Sequence, residues 1–279
     1  MPDNRLIVKM LGGFSLLYAG KELILDRSSV SKTTQLLQMV LLHQEDGIAK
    51  TSLIDGLYGR EDVENRNGSL NNTLFRLRRQ LKAAGLPESN YINIQKGMCR
   101  WDPGIPVEID CCRFEEKVLA GQREEETEKK MEFYREACGL YAGEFLPDMI
   151  GEDWVTVRNI HYRNLYFSCL EELCGWLKEK EEFEEIYQLT TQASAIYPFE
   201  EWQIWRIDSL IAMARYQEAM EIYQTTTRLF FDELSLPPSP QMLERFRFMS
   251  ERISQSAGAI EDIKQGLIER EMVKGAYFC

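Results

Sequence analysis

SLNNTLFRLRRQLK, residues 69–82, puts two different faces on one helix. Leu70, Leu74, Leu77 and Leu81 recur at intervals of four, three and four residues, the spacing of a buried stripe on an α-helix. The positions between them hold Asn71, Asn72, Arg76, Arg78, Arg79 and Lys82. These are amide and cationic side chains, the types that hydrogen-bond base edges and neutralise phosphates. A helix anchored by its leucines and carrying this set is suited to a DNA groove. The same pattern also fits an ordinary amphipathic helix with a solvated charged face, so the surrounding sequence has to decide.

The chain has 279 residues, of which 44% are hydrophobic and 11% aromatic, enough for one large or two ordinary globular domains. No apolar run approaches the roughly 20 residues that span a bilayer. The N-terminus MPDNRLIVKM has neither an apolar h-region nor a cleavage site, so the sequence predicts a cytoplasmic protein with no membrane partner. Seven cysteines form no CxxC pair, Cys111 and Cys112 are adjacent, and only His43 and His161 offer imidazoles. Reduced structural thiols, with no metal and no cofactor, are expected.

Charge is distributed unevenly. Of 33 Lys+Arg and 45 Asp+Glu, residues 1–110 hold 14 and 13, which leaves 19 and 32 beyond and a net −13 there. The overall −12 therefore belongs to the second half. A near-neutral first half with its cations gathered on one helix remains able to bind a polyanion, with modest and salt-dependent non-specific affinity.

The texture of the sequence changes at the same place. LIVKM, FSLLYAG and ELIL are short β-rich runs punctuated by Gly12-Gly13 and Gly20-Lys21, which predict a small antiparallel sheet. Ser28 or Ser29 then offers an N-cap to a helix whose apolar face is Leu36, Leu37, Val40 and Leu41. A second helix follows Thr51, turns Leu53, Ile54 and Leu57 inward and ends at Gly59. The loop GREDVENRNG leads to the helix at 69–82, and after Gly85-Leu86-Pro87 the strands of YINIQKGMCRW close the segment. From about Asp110 the chain reads as helices separated by Pro147, Pro198 and Pro237-Pro238. Phe183, Ile186, Thr190 and Ala193 are matched 33 residues later by Tyr216, Ala219, Tyr223 and Thr226. That offset is close to the 34-residue period of tetratricopeptide repeats. Tyr187, Tyr197, Trp202, Trp205 and Tyr223 read mainly as repeat core.

Taken in order, these segments resemble a known bacterial family. LGGFSLLYAGKEL, QLLQMVLLHQ, SLIDGLYG and SLNNTLFRLRRQL are similar to the winged-helix effector domain of OmpR-family response regulators. LYAGEFLPDM followed by Trp154, then EEFEEIYQLTTQASAIYPFEEWQIWRI and ARYQEAMEIYQTTTRLFFDELSLPPSPQM, resemble the bacterial transcriptional activator domain of SARP-type activators. The resemblance runs from about Leu6 to Met249. It implies a mainly α chain with a small β component: a winged-helix domain over 1–110, tetratricopeptide-like helices over 111–250, and a tail or linker over 251–279. It also implies a sequence-specific activator that binds repeated half-sites of double-stranded DNA as a homodimer and recruits RNA polymerase. Asn71, Asn72 and Arg76 fall where family members contact base edges, while Thr73, Arg78 and Arg79 fall beside the phosphates. Lys96 takes the wing position of a cation reaching toward the minor groove. The wing tip departs from the family pattern, being shortened to KGMCRW at 96–101. Glu61, Asp62 and Glu64 lie in the loop where such regulators touch polymerase, and they equally suit a solvated loop.

No Walker loop, GxSxG elbow or HExxH motif is present, so no enzymatic activity is expected. No receiver domain is expected ahead of the winged helix, which would leave the second half to sense an unknown small molecule or protein, to assemble, or to recruit. A scaffold whose winged helix no longer reads DNA is the competing reading. Ile253, Ile260, Ile263 and Leu267 suggest an apolar stripe in the tail, which either pairs two protomers, packs on the repeats, or leads into a further domain of a longer protein.

Overall fold

The computed structural model describes residues 4–25, 28, 30–60, 62, 64–101 and 104–255. Two compact units are formed, Met1–Leu173 and Cys174–Cys279.

In the first unit, β1 (Leu6–Lys9) buries Leu6 and Val8 and pairs antiparallel with β2 (Ser15–Tyr18), which in turn pairs with β3 (Lys21–Glu22). The β2–β3 turn is Ala19-Gly20, both at positive φ (50° and 75°), the two-residue geometry that matches strand twist. The sheet is not purely antiparallel. Its order is β3-β2-β1-β7, and β7 (Val107–Ile109), which follows the terminal hairpin, runs parallel to β1.

Three helices follow the first hairpins. α1 (Lys32–Leu42) is capped by Ser31, whose Oγ accepts from Thr34 N at 3.3 Å. The expected caps do other work or fall elsewhere: Ser28 accepts from Val30 and Ser31, and Ser29 lies outside the described residues. α1 buries Leu36, Leu37, Val40 and Leu41 but also Gln35 and Gln38, so it is central to the unit rather than amphipathic at its surface. β4 (Ile48–Ala49), α2 (Lys50–Tyr58) and α3 (Arg66–Ala83) come next, then β5 (Ile92–Gln95) and β6 (Met98–Trp101). β4 is absent from the sequence reading because two residues carry no periodicity. It completes a second sheet of order β4-β6-β5.

The change of composition near Asp110 is not a break in packing. α4 (Asp110–Arg123), α5 (Thr127–Leu140) and the greater part of α6 (Asp153–Glu179) belong to the same unit as the strands. Asp110 receives N–H bonds from Met10 (2.8 Å), Leu11 (3.0 Å) and Cys111 (2.7 Å), joining the end of β1 to the start of α4. Burial pushes its carboxyl pKa up, with those three donors opposing the shift. Beyond α5, Leu146 N donates to Met10 O and Gly12 N to Glu144 O, each at 2.8 Å. Gly12 sits at φ +79°, and a Cβ there would lie 2.9 Å from Ala142 O, so only glycine allows this approach. Beneath it Tyr141 stacks on Tyr166 at 4.1 Å, and Phe114, Phe145 and Tyr162 fill the rest of the layer. His43 Nδ1 donates to Met39 O (2.8 Å), which leaves Nε2 to accept from Arg158 Nη2 (3.2 Å), tying α1 to α6.

The second unit is the helical repeat. α7 (Phe183–Ile196), α8 (Trp202–Ala212), α9 (Tyr216–Leu234) and a helix over 240–255 are separated at Pro198 and Pro237-Pro238. The 33-residue offset is carried by the backbone as well as the side chains. α6 ends at Glu179 and α8 at Ala212, and α7 begins at Phe183 and α9 at Tyr216. The turn residues Glu181 (φ 61°) and Ala214 (φ 58°) are both left-handed. Each turn is closed by an equivalent bond, Glu182 N to Leu177 O and Arg215 N to Leu210 O. Ile186, Thr190 and Ala193 are buried on α7, as are Ala219, Tyr223 and Thr226 on α9. Tyr197, Trp202 and Tyr223 are buried, and Tyr187 and Trp205 half-buried. Of the tail positions, Ile253 is half-buried, whereas Ile260, Ile263 and Leu267 lie outside the described residues.

Candidate nucleic-acid interface

α3 is longer than its sequence pattern implies. It starts at Arg66, capped by Asn65, whose side chain accepts from Gly68 N at 2.9 Å, so the preceding loop is shorter than Gly59 to Gly68. Leu70, Leu74, Leu77 and Leu81 are all buried. Fully burying a leucine contributes about 1.5–3 kcal/mol, which leaves the rotation of α3 about its own axis little freedom. The outward face is thereby determined: Asn71, Asn72, Phe75, Arg76, Arg79 and Lys82 are exposed. Lys82 is engaged with Glu88 Oε1 at 2.7 Å.

Two residues expected beside the phosphates do not lie on that face. Thr73 is buried, and its hydroxyl is 2.7 Å from the Tyr58 hydroxyl, a bond between α3 and α2. Leucine spacing alone cannot separate Thr73 from its neighbours, because it borders the stripe at Leu70 and Leu74. Arg78 is half-buried and its Nη2 donates to Ile92 O at 2.7 Å, linking α3 to the first residue of β5. This is a charge-assisted bond at the root of the hairpin. Arg78→Ala is expected to lower stability by about 1.5–3 kcal/mol and to speed amide exchange along β5 and β6. Unchanged exchange in Ile92–Gln95 would remove Arg78 from this role.

The hairpin of β5 and β6 is the wing. Gln95 opposes Met98, and the two turn residues, Lys96 (φ 49°) and Gly97 (φ 80°), both have positive φ. The tip is therefore a two-residue turn that projects an exposed Lys96. Alternation sends Cys99 and Trp101 inward and Arg100 outward, opposite an exposed Asn93. Arg100 and Phe75 are the residues of this surface that sequence reasoning missed. Strand alternation signals the first; the second stands between polar positions on α3, where an apolar residue is out of place.

The loop before α3 is anchored at its start, where Arg60 Nη1 donates to Gly151 O at 2.7 Å and its Nη2 pairs with Asp153. Asp62 and Glu64 are exposed, and Glu61 lies outside the described residues. The surface thus brings the α3 amides and cations into one exposed row, with Lys96 on the hairpin and the acidic pair on the loop. It holds hydrogen-bond donors and acceptors and positive charge, and none of its members has a nucleophile–base arrangement. Among the described residues, no group of three or more His, Cys, Asp or Glu is placed to hold a metal ion, and the cysteines form no disulfide. No described helix is long and apolar enough to cross a membrane.

Residues 109–247 match the bacterial transcriptional activator domain family. No curated protein matches the chain by sequence. Among solved structures, the chain is similar to Mycobacterium tuberculosis EmbR, determined in complex with a low-affinity phosphopeptide. The identity is 15%, the TM-score 0.56, and the alignment covers 94% of this chain and 71% of that one, a likeness of fold. The matched family regulates transcription and is not an enzyme family. Residues 109–247 thus form a bacterial transcriptional activator domain, and the strands, three helices and wing that precede it give the domain order of the SARP-type activators that the sequence resembles.

Proposed function

We propose that the chain binds repeated promoter half-sites as a homodimer, lays α3 in the major groove, and recruits RNA polymerase. The observation that carries this reading is the division of α3: its leucines are buried, and Asn71, Asn72, Arg76 and Arg79 face outward together. Asn pairs bidentately with adenine and Arg with guanine, each worth about 1–3 kcal/mol of discrimination. Lys96 at the hairpin tip reaches toward the minor groove, and Arg100 adds a second cation to the wing. Arg79 and Lys82 serve the phosphates, replacing Thr73 and Arg78. Asp62 and Glu64, with Glu61, contact polymerase from the loop. The division of labour runs at about residue 110, with DNA binding before it and the repeats after it. A signal, small molecule or protein, is taken by the second unit, where Phe199, Phe230, Leu236 and Pro238 line a cavity of about 860 Å³.

A mobility shift on promoter fragments tests this at low and moderate salt. A shifted complex that contains two protomers and weakens steeply with salt is expected. No shift at any salt would instead favour a scaffold whose winged helix does not read DNA.

A further inference from the structure

One side chain on the exposed row of α3 neither hydrogen-bonds nor carries charge. Phe75 is 61% exposed, while the leucines of the same helix are buried. It lies one turn beyond Asn71 and Asn72 and one turn before Arg79, whose guanidinium carbon is 5.9 Å from the ring centroid. Left in water, a phenyl ring forgoes the free energy of its burial, and here it stands among amides and cations on the face turned away from the leucines. The ring lies in the middle of the row that carries the polar and cationic groups, and a surface facing DNA would bury it there.

We propose that Phe75 is a base-reading residue that packs on the C5-methyl group of a thymine. This rests on the reading that places α3 in the major groove. Along the floor of that groove the base edges present donors, acceptors and a single apolar feature, the thymine methyl. A phenyl ring there distinguishes thymine from cytosine by contact rather than by hydrogen bonding. Arg79, held against the ring, orients it and remains directed outward to the phosphates. Asn71 and Asn72, one turn away, suit adenine, so the half-site has an A·T-rich step read from both strands.

The test uses the full chain and an operator recovered by repeated selection from a random duplex pool. Each thymine of one half-site is replaced in turn by deoxyuridine, which lacks only the methyl group, and binding is followed by fluorescence anisotropy. For the wild-type protein, one replacement is expected to weaken binding about three- to fivefold, the effect of removing one buried methyl. Phe75→Ala should bind the unmodified operator more weakly and be indifferent to that same replacement. Phe75→Leu should keep part of the sensitivity, and matched melting curves separate both variants from misfolding. If an operator is selected but no deoxyuridine costs affinity, or if Phe75→Ala retains the full cost, the proposal is overturned while DNA reading by α3 stands. If no sequence is enriched, both readings fall. If Phe75→Ala binds DNA like wild type and loses only transcription in vitro, the ring meets a protein instead, and the proposal is likewise overturned.

Discussion

Asp110→Ala is expected to destabilise the first unit by about 3–5 kcal/mol, the largest effect of any single substitution considered for its stability. The carboxylate is the shared acceptor of the Met10, Leu11 and Cys111 N–H groups. Each buried donor left unpaired costs about 1–3 kcal/mol, and water entering the truncated site recovers part of that. At about 2–4 °C per kcal/mol, the melting temperature falls by on the order of 10 °C, measurable by circular dichroism. A change under 2 °C would mean that β1 and α4 are joined by something else. Asp110→Asn removes the charge and keeps one acceptor oxygen, while its NH2 group replaces the second acceptor. The pH dependence follows from the raised pKa. The folded state holds the Asp110 proton more tightly than the unfolded chain, so this residue's contribution is greatest below the ordinary aspartate pKa and declines as pH rises through the folded value. The stability of wild type relative to Asp110→Asn should therefore grow as pH is lowered toward 4. A gap that shrinks on acidification would show that the three donors outweigh burial.

Arg76→Ala and Arg79→Ala should both weaken DNA binding, but in different ways. Arg76 is exposed on α3 one turn beyond Asn72 and is the residue best placed for a guanine. Its loss should cost about 1–3 kcal/mol, some five- to 150-fold at the operator, and relax preference at one base position. Affinity for random duplex should change little. Arg79 should act through phosphate, weakening operator and random duplex alike and lowering the slope of log affinity against log salt by about one. Equal behaviour of the two variants would sink the division of roles between them. These effects depend on α3 being held rigidly, which the four buried leucines and the Tyr58–Thr73 bond provide.

Most of this architecture is legible in the sequence where a period is long enough to count. The leucine stripe of α3 and the 33-residue offset of α7 and α9 extend over several turns, and helix packing enforces them directly. Elements of two residues, such as β3 and β4, escape because they exist only through their partners. The parallel pairing of β7 with β1 is likewise a long-range result: Leu6 meets Val107, positions separated by the entire winged helix. Caps fail for a related reason. Ser28, Ser29 and Ser31 are chemically equivalent on paper, and only the packed position of Thr34 selects Ser31.

On the interface itself, residue type identifies Asn71, Asn72, Arg76 and Arg79 as members of one face, and the structure exposes all four. Thr73 and Arg78 show the limit of residue type. Each is chemically able to meet a phosphate, yet Tyr58 and Ile92 O claim them, partners contributed by other elements and invisible in a local window. The acidic second half similarly disguises a near-neutral stretch over residues 1–110 when charge is averaged over the chain. Asp110, read only as the place where composition changes, is in fact the bond between the strands and the helices that follow.

The placement of α3 in the major groove is tested most directly by dimethyl sulfate footprinting of the selected operator, which reports guanine N7 there. Protected guanines are expected in two patches on one face of the duplex, with one guanine per half-site losing protection in Arg76→Ala while the others persist. A protein that binds the fragment without protecting major-groove N7, or a variant whose footprint is the same as wild type, would contradict the placement of α3.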